Sequence, residues 1–194
     1  MAELTPMKRQ YYEIKQRNPD CLLFFRLGDF YEMFADDARL AARELDLTLT
    51  TPDRNVEDPA ERTPMCGVPY HSVELYLKRL VDKGYKIAIC EQMTDPALSK
   101  GLVERDVIRI VTPGTLIESS MLDDDSNNYI CTLYYGNDGS CALCFADLST
   151  GEMSLTIPQE ASDLSVRIMD VLSRYMPAEL VMNSQALSLK SVMD

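Results

Sequence analysis

Seven consecutive residues, Gly28-Asp29-Phe30-Tyr31-Glu32-Met33-Phe34, set two aromatic rings beside a carboxylate, directly after a glycine that permits close backbone approach. The Phe-x-Glu pair within them admits two readings. In the first, Phe30 is a core ring and Glu32 a capping carboxylate. In the second, Phe30 is presented outward as an apolar wedge, and Glu32 reads what the wedge contacts. Periodicity alone does not choose between them. The other groups capable of chemistry are less promising. His71 is the sole histidine, and no serine, cysteine or carboxylate surrounds it in the manner of a triad. Cys141-Ala-Leu-Cys144 has the spacing of a metal or redox pair, but it lies in an apolar run that reads as a strand. There, positions three apart face opposite sides, and no second pair accompanies it. Asp123-Asp124-Asp125 has the charge for a cation but the composition of a solvated linker. Asp147, followed by Leu-Ser-Thr-Gly, has the look of a first metal position in a hydrolase. Metal-dependent hydrolysis needs further carboxylates converging from other strands, and Asp138 and Glu152 sit at turns. No phosphate-binding Gly-x-x-x-x-Gly-Lys-[Ser/Thr], dinucleotide fingerprint, HExxH or Gly-x-Ser-x-Gly occurs.

The elements that must position these groups follow from pattern. Thr5 caps a helix with Pro6 at its first position, and Asn18-Pro19 stops it. The apolar run from Leu22 is a buried strand ending at Gly28. Asp29 then stands as an N-cap with Glu32 completing a capping box, so a helix is expected from Phe30 with a stripe of Phe34, Ala38, Ala41 and Leu45. Phe30 falls at the edge of that stripe. Leu45 to Thr50 alternates as a half-buried strand, and Thr51 to Pro64 is a polar loop with three prolines. Met65 to His71, broken by Gly67 and Pro69, is expected to be a turn holding Tyr70 and His71. Ser72 should cap a helix that buries Val73, Leu77, Leu80 and Val81 and ends at Gly84. Tyr85–Glu91 and Val107–Thr112 read as strands, joined by a loop containing Asp95-Pro96 and Lys100-Gly101, and Pro113-Gly114 closes the unit. The result is a mixed α/β domain over residues 1–115, followed by a linker over 116–128.

Beyond the linker, Tyr129–Tyr135, Ser140–Asp147 and Met153–Ile157 form a β-meander with tight turns at Gly136–Gly139 and Leu148–Gly151. An amphipathic helix with Leu164, Ile168, Val171 and Leu172 leads to a strand at Glu179–Met182. This βββαβ order matches the first part of an RNase H-like domain over residues 129–194. The chain stops at Asp194 before such a fold would be complete, which suggests a piece of a longer protein.

Composition bounds the function. With 194 residues, 46% hydrophobic and 26% charged, the chain can build ordinary soluble cores. No apolar run approaches a membrane span and no signal peptide is visible, so no membrane association is expected and the cytoplasm is the default compartment. The six cysteines sit mostly in apolar runs, as buried free thiols do. Net charge is −12, but it is uneven: residues 1–115 carry 16 Lys+Arg against 19 Asp+Glu, and residues 116–194 carry 3 against 12. Lys8, Arg9, Lys15, Arg17, Lys78, Arg79, Lys83 and Lys86 permit a nucleic-acid face on the first part without demanding one.

Four motifs, in order, carry a resemblance. They are Gly28–Phe34, Met65-Cys-Gly-Val-Pro-Tyr-His71, Ala88-Ile-Cys-Glu-Gln92 and Arg109-Ile-Val-Thr-Pro-Gly-Thr115, with Phe145-Ala-Asp-Leu-Ser-Thr-Gly-Glu152 as a looser fifth. Together they resemble the bacterial MutS family of DNA mismatch-repair proteins. The resemblance implies a mixed α/β mismatch-recognition domain followed by a truncated RNase H-like connector domain. It also implies that Phe30 inserts into mismatched double-stranded DNA from the minor groove while Glu32 hydrogen-bonds the displaced base. Arg54, Tyr70 and Arg109 lie in or near the family motifs and are candidates for further DNA contacts. The family works as a dimer, recruits MutL and carries ATP and Mg²⁺ in a C-terminal ATPase domain absent here. No cofactor and no ATP hydrolysis are therefore expected of these residues. Two other readings stand beside this one: an RNase H-like hydrolase centred on Asp147, and a protein-interaction platform built on the acidic second part.

Overall fold

The computed structural model describes residues 4–53, 56, 58, 61–94, 101–158 and 163–189. The chain divides into two compact units, 1–112 and 113–194. Among the described residues, two mixed sheets and four α-helices make the fold mixed α/β, as the pattern implies. Among the described residues no helix is long and apolar enough to cross a membrane.

The first unit opens with helix α1 (Pro6–Arg17), whose Thr5 cap accepts a hydrogen bond from the Lys8 amide at 3.3 Å. Strand β1 (Leu22–Leu27) follows and turns back at once into strand β2 (Phe30–Phe34), paired antiparallel with Leu27 opposite Phe30. The expected helix from Phe30 is therefore a strand. Gly28 lies at φ 57°, first of a two-residue loop, where a hairpin demands a left-handed residue. Asp29 and Glu32 imitate a capping box, but helix α2 (Ala35–Leu45) starts only after Phe34, which occupies its N-cap without any side-chain bond. The expected stripe survives in the shifted helix: Ala38, Ala41 and Leu45 are buried.

Two further expectations are corrected. Residues 46–50 contribute one isolated bridge, Thr50 to Met65, because α2 runs on to Leu45 and ends in a left-handed Asp46. Met65–Pro69 is strand β3, pairing with β2 in full register, and only Tyr70–Ser72 forms a tight 3₁₀ turn. Proline is tolerated there because β3 is the sheet edge. Ser72 does precede helix α3 (Val73–Val81), yet its hydroxyl donates to the Pro69 carbonyl instead of capping. Leu77, Leu80 and Val81 are buried, whereas Val73 is half-buried. Strands β4 (Ile87–Gln92) and β5 (Arg105–Val111) complete a five-stranded sheet of order β3-β2-β1-β4-β5, in which only β1 and β4 are parallel. Of the loop expected between β4 and β5, the part from Asp95-Pro96 to Lys100 lies outside the described residues.

Alternation sorts this sheet into two faces. Leu23, Phe25, Phe34, Ala88 and Cys90 meet Tyr11 and Ile14 of α1. Met33, Cys66 and Val68 point the other way, where the Cys66 thiol reaches the Ala38 carbonyl of α2 at 3.4 Å. A buried polar knot ties the layers. Asp37 of α2 accepts from the Leu23 amide at 3.0 Å and the Tyr11 hydroxyl at 3.2 Å, and it pairs with Lys15 at 3.0 Å.

The second unit is the expected βββαβ. Strands β6 (Tyr129–Tyr135), β7 (Cys141–Asp147) and β8 (Glu152–Thr156) form the meander, α4 (Leu164–Tyr175) crosses over, and β9 (Glu179–Met182) returns parallel to β6. The order β8-β7-β6-β9 buries Cys131, Leu133, Leu143 and Phe145 against Ile168. Residues 116–128 are coil and turns in which Leu116 and Met121 are buried.

Candidate nucleic-acid interface

Phe30 and Glu32 project from the same face of β2 as Phe34, since the strand repeat is two. That row runs outward from the α1 core. Phe34 is fully buried, Glu32 half-buried, and Phe30, at the hairpin tip, is 45% exposed. A large aromatic ring left in water at a turn is not a core ring. Glu32 stands directly between Phe25 of β1 and Gly67 of β3. No hydrogen-bond or ion-pair partner meets its carboxylate among the described residues, and desolvation by burial raises its pKa above the ordinary value near 4.5. A half-buried carboxylate without a partner is the kind of uncompensated group that marks functional sites.

The hairpin that carries the pair is braced. The Arg26 Nε donates to the Gly28 carbonyl at 2.5 Å, and its guanidinium lies 3.7 Å above the Tyr70 ring. Its other end meets Glu91 of β4 at 3.4 Å, and the Tyr31 hydroxyl donates to the same carboxylate. Burial first, then that hydrogen bond, pushes the Tyr31 hydroxyl well above the usual phenol range. The Tyr70 amide donates to the Asp29 carbonyl at 3.0 Å, closing the tip against the end of β3. Buried Arg105 supports the root, donating to the Arg26 carbonyl at 2.7 Å while its guanidinium stacks near Phe25.

The candidate residues are thus only partly brought together. Phe30, Glu32 and Tyr70 cluster at one hairpin tip. Arg109 sits on β5, separated from β2 by β1 and β4, and is half-buried opposite Ile89. Arg54 lies outside the described residues. Sequence reasoning passed over Arg26 and Gly67. An arginine inside an apolar strand and a lone glycine between buried strand residues were the available signals.

Among the described residues the competing chemistries do not assemble. The Asp147 carboxylate is buried and accepts from Ser149 N at 2.9 Å, Ser149 Oγ at 2.6 Å, Asn128 N at 3.1 Å and Thr150 N at 3.3 Å. Burial pushes its pKa up, but those hydrogen bonds together outweigh it and hold the carboxyl below the usual range. It is a turn anchor. Cys141 is buried while Cys144 is half-exposed on the opposite face of β7, and all six cysteines are free. Burial holds the Cys66 thiol up at about 11 and those of Cys90 and Cys131 at about 12, which keeps them unreactive at neutral pH. Among the described residues no three His, Cys, Asp or Glu side chains are placed to hold a metal ion.

The class these features define is a pair of mixed α/β domains with a braced, ring-bearing hairpin on the first. Residues 5–120 match the family model MutS domain I, and residues 128–193 match MutS domain II. The chain belongs to the MutS family. It is 54% identical over 180 residues to the DNA mismatch repair protein MutS of Clostridium kluyveri, a match covering 92% of this chain and 20% of the relative. To the protein of the same name from Acetivibrio thermocellus it is 52% identical over 185 residues, covering 95% and 21%. To that from Clostridium tetani it is 52% identical over 181 residues, covering 93% and 20%. The chain spans about a fifth of the length of these relatives.

Proposed function

We propose that this chain reads mispairs in duplex DNA for mismatch repair, with Phe30 as the wedge and Glu32 as the hydrogen-bonding partner of the displaced base. One observation carries the reading: an exposed ring and a half-buried carboxylate without a described partner stand side by side on one face of a braced hairpin. Inserting a ring between base steps costs a few kcal/mol of unstacking and kinks the duplex. A mispaired step is already weakened, so it opens more cheaply than a paired one. Discrimination then rests on deformability, which suits a reader that must accept many different mispairs. Glu32 repels phosphates unless it meets a donor or takes up a proton, and its raised pKa makes the second route accessible.

Tyr70 at the same tip, Arg109 on β5, and Arg54 belong to the proposal as backbone contacts. So do a homodimeric parent, a MutL-type partner meeting the connector, an ATP- and Mg²⁺-dependent domain elsewhere in the protein, and a cytoplasmic location. All of these rest on the family resemblance.

The test is fluorescence anisotropy of the intact protein on a matched duplex and on one with a single G·T mispair, at fixed moderate salt. Wild type should prefer the mispair, and Phe30→Ala should lose that preference. The ring is little more than half-buried, so the mutant should give up only about 1–2 kcal/mol of stability, well short of a core Phe→Ala. A Phe30→Ala protein that stays folded and still discriminates sinks the wedge assignment.

A further inference from the structure

Gly67 faces Glu32 across the β2–β3 ladder, in the middle of an otherwise side-chain-bearing strand. Glycine weakens a strand interior and is retained there when something must approach closely. Backbone conformation does not demand it, because Gly67 is absent from the residues with positive φ. Space does. A Cβ at this position would lie 3.2 Å from the Glu32 Cγ, 3.2 Å from the Tyr31 carbonyl oxygen and 3.6 Å from the Phe30 Cδ1. The first two distances are tighter than most Cβ contacts, so a neighbour would have to give by a few tenths of an ångström, and the third is ordinary contact. Both side chains of the recognition pair therefore lie over the bare backbone of one residue.

We infer that Gly67 is a positioning residue for mispair recognition: its missing side chain is the floor that sets where the Glu32 carboxylate and the Phe30 ring stand. The inference rests on the wedge reading above. A methyl group at 67 has two ways to fit. It lifts the Glu32 stem outward, which carries the carboxylate away from the displaced base, or it pushes β3 from β2, which tilts the tip that bears Phe30. On the β2–β3 ladder the nearest residues of the α1 core, Phe34 and Met65, lie two residue pairs further along.

The experiment is a double-mutant cycle on the intact protein, reading the ratio of affinity for a G·T duplex over its matched counterpart. Gly67→Ala should lower that ratio by about tenfold, part of the ~10²-fold that an ångström-scale misplacement can cost. In a Phe30→Ala, Glu32→Ala background the same substitution should change nothing further. A purely structural role would lower binding to both duplexes and persist in that background. If Gly67→Ala lowers the unfolding midpoint, shortening the clashing side chain with Glu32→Ala should restore it, and failure to restore it places the clash on the Tyr31 carbonyl and overturns the inference. A Gly67→Ala protein with the wild-type ratio also overturns it. If Phe30→Ala itself leaves the ratio intact, the wedge reading fails first.

Discussion

Glu32 is where the residue scale is most informative. Its carboxyl sits between Phe25 and Gly67, and burial alone raises its pKa. The protonated form is thus favoured in the folded state relative to the unfolded one. The stability this contributes is complete below the ordinary value near 4.5 and is lost as pH rises through the raised folded value. At neutral pH the ionised carboxylate is a burden to the fold, and Glu32→Gln should raise the urea midpoint slightly. The same protonation matters for DNA. Neutral Glu32 no longer repels phosphate and gains an O–H to donate. Wild-type affinity for a G·T duplex should strengthen as pH falls toward the raised Glu32 pKa, and Glu32→Gln should flatten that profile. A wild-type profile as flat as that of the variant would remove protonation from the mechanism.

At the scale of elements, the knot around Asp37 decides whether the layers hold their register. It joins α1 through Lys15 and Tyr11, β1 through the Leu23 amide, and α2 through its own backbone. Asp37→Ala strands the buried Leu23 amide, leaves the Tyr11 hydroxyl only a long bond to the Phe34 carbonyl at 3.4 Å, and takes the carboxylate away from Lys15. Removing one partner from such a set costs about 3 kcal/mol, which urea unfolding should register as a lower midpoint, with Asp37→Asn milder because one acceptor remains. The second unit was legible in the sequence because glycines mark its turns: Gly139 and Gly151 both sit at positive φ between alternating runs. The hairpin of the first unit was not. Asp29 and Glu32 have the spacing of a capping box, and Phe34 continues the stripe of α2, so the same letters serve a helix as well as a strand. What selects the strand is pairing with β3, and Gly67 and Pro69 disguise β3 as a turn. Those two residues break the local pattern for reasons visible only in three dimensions: Gly67 makes room for its neighbours, and Pro69 closes an edge strand. Phe30 and Glu32 could be singled out as candidates all the same, because motif order does not depend on secondary structure.

For the whole molecule, the proposed function raises the question of how an acidic chain with net charge −12 could meet a polyanion at all. The structure removes most of the cations that the sequence offers for phosphate contact. Lys8 pairs with Asp53, Lys15 with Asp37, Arg17 with Asp106 and Lys78 with Asp82. Arg79 pairs with Asp46, Lys83 with Glu44 and Lys86 with Asp20. Most such pairs are exposed and add little stability, but each sets a carboxylate beside the cation and cancels its attraction for phosphate. Binding that depended on neutralising many phosphates would release many counterions and weaken steeply with salt, with a slope of about −0.9 per phosphate. Binding that depends on opening a weak step with an uncharged ring would not. The logarithm of the affinity of residues 1–194 for a G·T duplex should therefore fall with the logarithm of salt concentration at a slope of about −2 or shallower, and the matched duplex should bind more weakly at every salt. Equilibrium titrations at several potassium chloride concentrations give that slope directly. A slope near −5 would mean that phosphate contacts dominate, which would move the weight of recognition away from the hairpin tip and onto basic residues elsewhere on the surface.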